Sequence, residues 1–330
     1  MTMLTDDAVV GATSGSRLAS GLGFAILSAT SFGMSGALAR ELLDAGWSAG
    51  AIVLVRVAIA AAVVLPFGLL ALRGRREVLR RNAGLIVVYG VVAVAACQFC
   101  YFSAVQHMQV GPALLIEYTA PAAVVVWLWL RRGPRPGAVT VFGAGLAALG
   151  LVLVLDLVSG ADLSVPGVLW ALLAMLGAAT YFVISADEDN GLPPITLAAG
   201  GLLVGAVALA VLGLVRLLPM HATTATVTYA GADVAWWVPL VALGVVTAAV
   251  AYTSGIAAGR RLGSRLASFV ALLEVVAGVA FAWLLLGELP RSVQLVGGVL
   301  ILAGVVFVKL GERGTAAPAT AAPVVEPVGT

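Results

Sequence analysis

Long apolar runs follow one another along this chain, separated by short polar or basic connections. The run over 110–130 is the most informative, because it carries Glu117 and Pro121 inside it and leads into the arginine-rich stretch RRGPRP. At a rise of ~1.5 Å per residue it is long enough to cross a hydrocarbon core ~30 Å thick as one helix. The same reading gives nine further spans, at about 18–39, 48–72, 83–107, 137–155, 166–186, 194–217, 236–258, 266–286 and 293–310. Residues 1–17 read as a polar cytoplasmic tail without periodicity, and 311–330, rich in Ala, Pro and Thr, as a disordered carboxyl-terminal tail. The polar stretch MHATTATVTYAGAD is the longest connection.

The fourth span has a second copy. Adding 154 to its numbering places Ala113 on Ala267, Trp129 on Trp283, Gly133 on Gly287, Pro136 on Pro290, Gly143 on Gly297 and Gly150 on Gly304. The fronts of the halves match at a shift of 146, pairing Gly21 with Gly167, Ala25 with Ala171 and Leu27 with Leu173. Repetition at a fixed offset identifies the unit of the fold. One copy covers 18–155, a short external loop covers 156–165, and the second copy covers 166–310. Five spans per copy is an odd number, so the second copy enters from the opposite side and the halves are inverted about an axis in the membrane plane. The expected fold is an all-α integral membrane bundle of ten transmembrane helices in a 5+5 inverted repeat.

Composition agrees: 62% of the residues are hydrophobic and 10% charged, where a soluble domain carries about a quarter charged. With the amino terminus inside, the cytoplasmic side receives Arg17, the five arginines of LRGRREVLRRN, Arg131, Arg132, Arg135, Arg260, Arg261, Arg265, Lys309 and Arg313. The other side receives Arg40, Arg216 and Arg291. That bias places both termini in the cytoplasm of a multi-pass cell-membrane protein; the acidic DEDN at 187–190 weighs little in the rule. The two cysteines, Cys97 and Cys100, lie within an apolar span and read as packed thiols, with no His or carboxylate at ligand spacing beside them.

Ionisable groups inside a membrane are costly and face a polar cavity or a partner. Arg56 and Glu117 enter their spans from the same side to roughly 10–12 Å, so depth allows them to pair. Such a pair either fixes two helices together or meets substrate or protons, and both readings stay open. Pro121 removes a hydrogen bond to the carbonyl of Glu117, putting a helix kink beside the carboxylate. Glu274 enters its span from the other side and is offset by one turn from the repeat mate of Glu117. Gln98 and Tyr101 share a helix face and offer an amide and a phenol, either to a cavity or to a neighbouring helix. Tyr118 and Tyr252 serve packing or a site equally well. Trp47, Trp127, Trp129, Trp236 and Trp237 fit an interfacial belt, and His107 an interfacial position. Small-residue patterns such as Gly201-x-x-x-Gly205 permit close helix packing in any bundle, so monomer and homodimer both remain open.

The run YFSAVQHMQVGPALLIEYTAP followed by WLRRGPRP, and later LLEVVAGVAFAWLLLGELP followed by GGVLILAG, resemble the two EamA-type repeats of the drug/metabolite transporter superfamily over about 18–310. The resemblance implies a ten-helix carrier, commonly an exporter of amino acids, related metabolites or toxic compounds, with a cavity lined by helices 1–4 and 6–9 and with helices 5 and 10 bracing the outside. The chain departs from the family pattern at Val275, where a proline is frequent, and in the first-copy turn GPRP, which stands where the second copy has GELP.

A secondary transporter of a small amphipathic metabolite, working by alternating access in a lipid bilayer, is therefore the leading expectation. Substrate or proton binding is assigned to Arg56, Glu117, Gln98, Tyr101, Tyr118 and Glu274, with no cofactor, metal or nucleic acid. The alternatives are an integral membrane enzyme and a passive channel. No H-E-x-x-H, G-x-S-x-G or P-loop is present, and the sparse polar residues speak against a continuous hydrated pore.

Overall fold

The computed structural model describes residues 6–120, 137–154, 164–186 and 190–311, with the side chains of a few helical segments left out. The helices are α1 (Asp6–Asp44), α2 (Ala49–Ala71), α3 (Arg76–Arg81), α4 (Ala83–His107), α5 (Val110–Glu117), α6 (Ala138–Val154), α7 (Val165–Ala186) and α8 (Pro194–Leu214). After a hairpin of β1 (Val227–Tyr229) and β2 (Ala232–Val234) come α9 (237–270), α10 (Leu273–Leu286) and α11 (Ser292–Gly311). Six apolar stretches, in α1, α2, α4, α7, α8 and α9, are long enough to cross a membrane; α6, α10 and α11 contain shorter apolar helices. The kink assigned to Pro121, the arginines at 131, 132 and 135, and the tail beyond Gly311 lie outside the described residues.

Ends and breaks follow local chemistry. Ser48 starts α2 by accepting from the Ala51 amide at 3.3 Å, satisfying one of the free N–H groups of a helix start. α8 stops at Leu214, short of the expected 217, where Arg216 turns left-handed (φ 59°). The expected irregular tail before residue 18 is helical from Asp6, because adding turns to an existing helix costs little. The polar connection before α9 contains a small hairpin that an all-α reading missed. Its signal was present: Val-Thr-Tyr and Ala-Asp-Val flank Ala230-Gly231, both at positive φ (50° and 81°), as a tight two-residue hairpin turn requires.

Three interruptions matter more. α4 is π-helical over Tyr89–Ala96 and α9 over Val245–Val250, which the offset of 154 places in corresponding parts of the two copies. The helix expected over 110–130 breaks after Glu117, with a turn at Tyr118 and Thr119. The helix expected over 266–286 breaks at Ala271 and Leu272, again 154 residues on within one position, although no proline stands there. The sequence pointed to a kink in the first copy alone; both copies are broken. Helical backbone instead runs through 259–265, where a basic connection was expected, since arginine and leucine are good helix formers.

Contacts recur at the same offsets. α6 and α11 cross with backbones touching: a Cβ on Gly143 would stand 2.6 Å from the Gly304 oxygen, and one on Gly150 2.6 Å from the Gly297 oxygen. Gly21 of α1 packs on Arg261 and Leu262 of α9, and Gly167 of α7 packs on His107 and Met108. Ser28 donates to the Ala251 oxygen at 2.9 Å, and Cys97 to the Ala174 oxygen at 3.4 Å.

Substituting Gly304→Leu should therefore cost about 1–3 kcal/mol through overpacking and lower the melting temperature of the purified protein. Gly145→Leu, which meets open space, should leave it within about 0.5 kcal/mol of the parent. Equal melting temperatures for the two variants would contradict the backbone-to-backbone crossing.

Candidate functional site

The breaks in the two copies bring the intramembrane carboxylates together. Glu117 is the last residue of α5 and Glu274 lies in the first turn of α10, so each sits where a helix has ended and backbone groups are free of the usual ladder. Tyr118, in the turn itself, donates to Glu274 Oε2 at 2.5 Å and so ties one copy to the other. Cys97 of α4 donates to Glu117 Oε1 at 3.4 Å. Both carboxylates keep some accessible surface although they lie among helices. Broken helices of this kind persist in a membrane where they line a cavity.

Arg56 is 2% exposed. Its Nη2 donates to the Thr247 carbonyl at 2.7 Å, in the π-helical part of α9, where the altered ladder leaves carbonyl oxygens available. Its guanidinium lies 5.2 Å from the centre of the Phe102 ring. The pairing of Arg56 with Glu117 that equal depth allowed is not made in this state: no nitrogen of Arg56 forms an ion pair with a described carboxylate.

Gln98 and Tyr101 occupy the same face of α4, as their spacing implies. Gln98 Nε2 donates to the Tyr252 hydroxyl at 3.0 Å, and these two residues are 154 apart, so each is the repeat mate of the other. Three polar atoms of this cluster, Arg56 Nε, Gln98 Oε1 and the Tyr101 hydroxyl, are buried without a hydrogen-bond partner among the described residues. Buried polar groups are paired in the great majority of cases, so three orphans together are informative. Aromatic rings adjoin them: Phe32 meets Tyr252 edge-on at 5.0 Å, and Tyr181 meets Tyr252 at 6.1 Å.

The structure thus gathers Glu117, Glu274, Tyr118, Gln98, Tyr101 and Arg56 around the two breaks. Sequence reasoning missed Cys97 as the donor to Glu117, Tyr252 as the partner of Gln98, and the Thr247 carbonyl. The offset of 154 already held the signal for Tyr252; a backbone carbonyl freed by a π-helical turn has no signature in side-chain pattern. His107 accepts or donates at 2.7 Å to the Ser103 oxygen of its own helix and takes no part. No group of three metal-ligating side chains forms among the described residues.

Beyond the site, at the end of the bundle where α1 meets α2, Arg40 donates through Nη1 to the carbonyls of Val105 (2.9 Å) and Met108 (3.3 Å), and through Nε to Asp44 (2.9 Å). Glu288, between α10 and α11, accepts from the Val110 amide at 3.2 Å and stands 3.7 Å from Arg40. Burial pushes the Glu288 carboxyl up, against the pull of the Val110 N–H and Arg40.

The sequence model of the EamA-like transporter family matches this chain twice, over residues 19–156 and 165–310. An "Uncharacterized inner membrane transporter YicL" of Salmonella typhimurium is 22% identical, over 87% of this chain and 94% of that protein. A "Probable terminal-alkyne amino-acid exporter" of Streptantibioticus cattleyicolor is 28% identical, over 81% of this chain and 87% of that protein. A chain from a solved crystal structure, 23% identical, superposes with a TM-score of 0.59, covering 92% of this chain and 99% of that one; the likeness is one of fold.

The link between the copies predicts coupling. In a double-mutant cycle on thermal stability, Tyr118→Phe and Glu274→Gln should be non-additive by about 1 kcal/mol, the size of a charge-assisted hydrogen bond net of solvation. Additive losses would mean that the two side chains do not bond in the purified protein.

Proposed function

The chain belongs to the EamA-like transporter family, and from that premise we propose that it is a secondary transporter that exports a small amphipathic metabolite, such as an amino acid or related compound, by alternating access. It is a multi-pass protein of the cell membrane. The observation that carries the proposal is the cluster at the breaks. Arg56 and Tyr101 offer unused donors suited to a carboxylate, Gln98, Glu117 and Glu274 offer acceptors suited to an ammonium, and the rings of Phe32, Tyr181 and Tyr252 accept an apolar body. The exporter name of one relative is consistent with this direction. Against an enzyme reading, no group of three metal-ligating side chains forms among the described residues, and no H-E-x-x-H, G-x-S-x-G or P-loop stands in the sequence.

Ten helices in a 5+5 inverted repeat is the architecture we assign. The double family match supports it, and so does the reciprocity of the contacts. Gly143 on Gly304 and Gly150 on Gly297 exchange partners under the offset of 154, with the two helices running in opposite directions. Exchange of partners fits twofold packing, and opposed direction fits an axis in the membrane plane. Contact between the mates Gln98 and Tyr252 supports a polar cluster near that axis, between the halves, as alternating access needs.

Two expectations follow. The metabolite whose intracellular and extracellular levels shift on overproduction or deletion identifies the substrate; for that substrate, Glu117→Gln in vesicles should alter or abolish the pH dependence of flux, while Glu77→Gln on exposed α3 should not. Unchanged flux and pH profile in folded Glu117→Gln protein would leave Glu117 a packing element. Reporter fusions at the amino terminus, the carboxyl terminus and residues 218–235 should read inside, inside and outside; an external signal from either terminus would contradict the inverted repeat.

A further inference from the structure

We propose that Arg40 and Glu288 form the gate that closes the polar cluster toward the end of the bundle where α1 meets α2. The inference rests on the transporter reading above, but its chemistry lies elsewhere, in the corner at residues 108–110 that joins α4 to α5. Arg40 reaches that corner from α1 and Glu288 from the connection between α10 and α11. A helix ends there on free carbonyls, and the guanidinium takes two of them, from Val105 and Met108. The next helix begins there on free N–H groups, and the carboxylate takes that of Val110. Cation on carbonyl end and anion on amide end is the favourable arrangement at both termini. The two side chains also face each other at 3.7 Å, with 26% and 17% of their surface exposed, so water screens the clasp only in part.

The clasp sits directly over the site. One turn inward from Arg40, Gly36 of α1 is pressed against the Tyr101 hydroxyl and Val110, so α1 is the lid over this side of the cluster. Opening toward this end requires α1 and the α10–α11 connection to part from the corner, which breaks every bond just described. Asp44 holds the other edge of the Arg40 guanidinium at 2.9 Å, and the Tyr229 hydroxyl of the hairpin binds the Leu38 oxygen at 2.6 Å, so α1 is tied down on two sides.

The clasp is not repeated by the residues that the offsets pair with it. Under the offsets of 146 and 154 the repeat mates of Arg40 and Glu288 are Ala186 and Pro134, neither of which carries a charge. The sequence therefore does not put the same two charges at the corresponding positions of the other copy.

The chain supplies its own reporters, because Cys97 and Cys100 are its only cysteines and both are buried in α4 beside the site. In membrane vesicles of defined orientation, a membrane-impermeant maleimide should label Glu288→Gln and Arg40→Gln proteins faster than the parent. The rise should be about tenfold, the population shift expected from one lost charge-assisted hydrogen bond. The double variant should label little faster than either single one, since both break the same clasp, and Glu77→Gln should label as the parent does. A Cys97→Ala, Cys100→Ala protein gives the background, and size-exclusion profiles confirm folding; Glu288→Gln carries the test by itself if Arg40→Gln does not fold. A rise confined to one vesicle orientation supports the gate. Rates unchanged in folded protein, or raised equally from both faces, overturn it. No substrate enters this assay, so a failure to detect flux bears on the transport reading and leaves the labelling result standing.

Discussion

Inside a bilayer each polar group has to be answered by the protein itself, because lipid offers neither donors nor acceptors. In this chain the answer comes from across the two copies. Tyr118 of one binds Glu274 of the other, Gln98 binds Tyr252, and Arg56 binds the Thr247 carbonyl. Separating the halves at this level would strand several buried groups at once, each costing more than the bond it had made. The breaks after Glu117 and before Leu273, and the π-helical turns in α4 and α9, are tolerated because these bonds and the space between the halves take up what the helical ladders release. The small-residue crossing of α6 with α11 stands apart from this polar layer and holds the copies together by close packing, with one hydrogen bond from Gln294 to the Val154 oxygen at its edge.

The two copies are alike in backbone and unlike in chemistry. Both break at corresponding places, yet Glu117 ends a helix while Glu274 begins one, and the thiol of Cys97 serves the first carboxylate where the phenol of Tyr118 serves the second. Arg56 closes on neither carboxylate. A guanidinium held by a carbonyl and a ring, with carboxylates nearby but outside ion-pair distance, is free to exchange partners when the halves move. That is the condition a site needs if it is to release what it binds, since a fully closed ion pair in low dielectric is costly to open.

Much of this was legible in the sequence. The apolar runs placed the spans, the offset of 154 exposed the duplication, and Glu117 stood out as a carboxylate inside a run long enough to cross a membrane. The same offset already paired Gln98 with Tyr252. What was not legible depends on backbone and on neighbours. The break at Ala271 and Leu272 has no proline to announce it, so departure from helix there is set by packing in three dimensions. The availability of the Thr247 carbonyl arises from the π-helical ladder, and equal depth suggested an Arg56–Glu117 pair where the guanidinium donates to α9 instead. The Arg40–Glu288 clasp joins residues far apart in sequence with no shared periodicity, and only folding reveals it.

The central claim is that the polar layer between the copies binds the transported molecule. Thermal stability of the purified protein titrated with the metabolite that responds to its overproduction tests this most directly. Binding to the folded state alone should raise the melting temperature with ligand concentration, approaching about 2.7 kcal/mol of stabilisation at a hundredfold excess over Kd. The account predicts that shift in the parent protein and its loss in folded Arg56→Ala and Glu117→Gln variants. A full shift retained in both variants would place the binding site elsewhere and contradict the account.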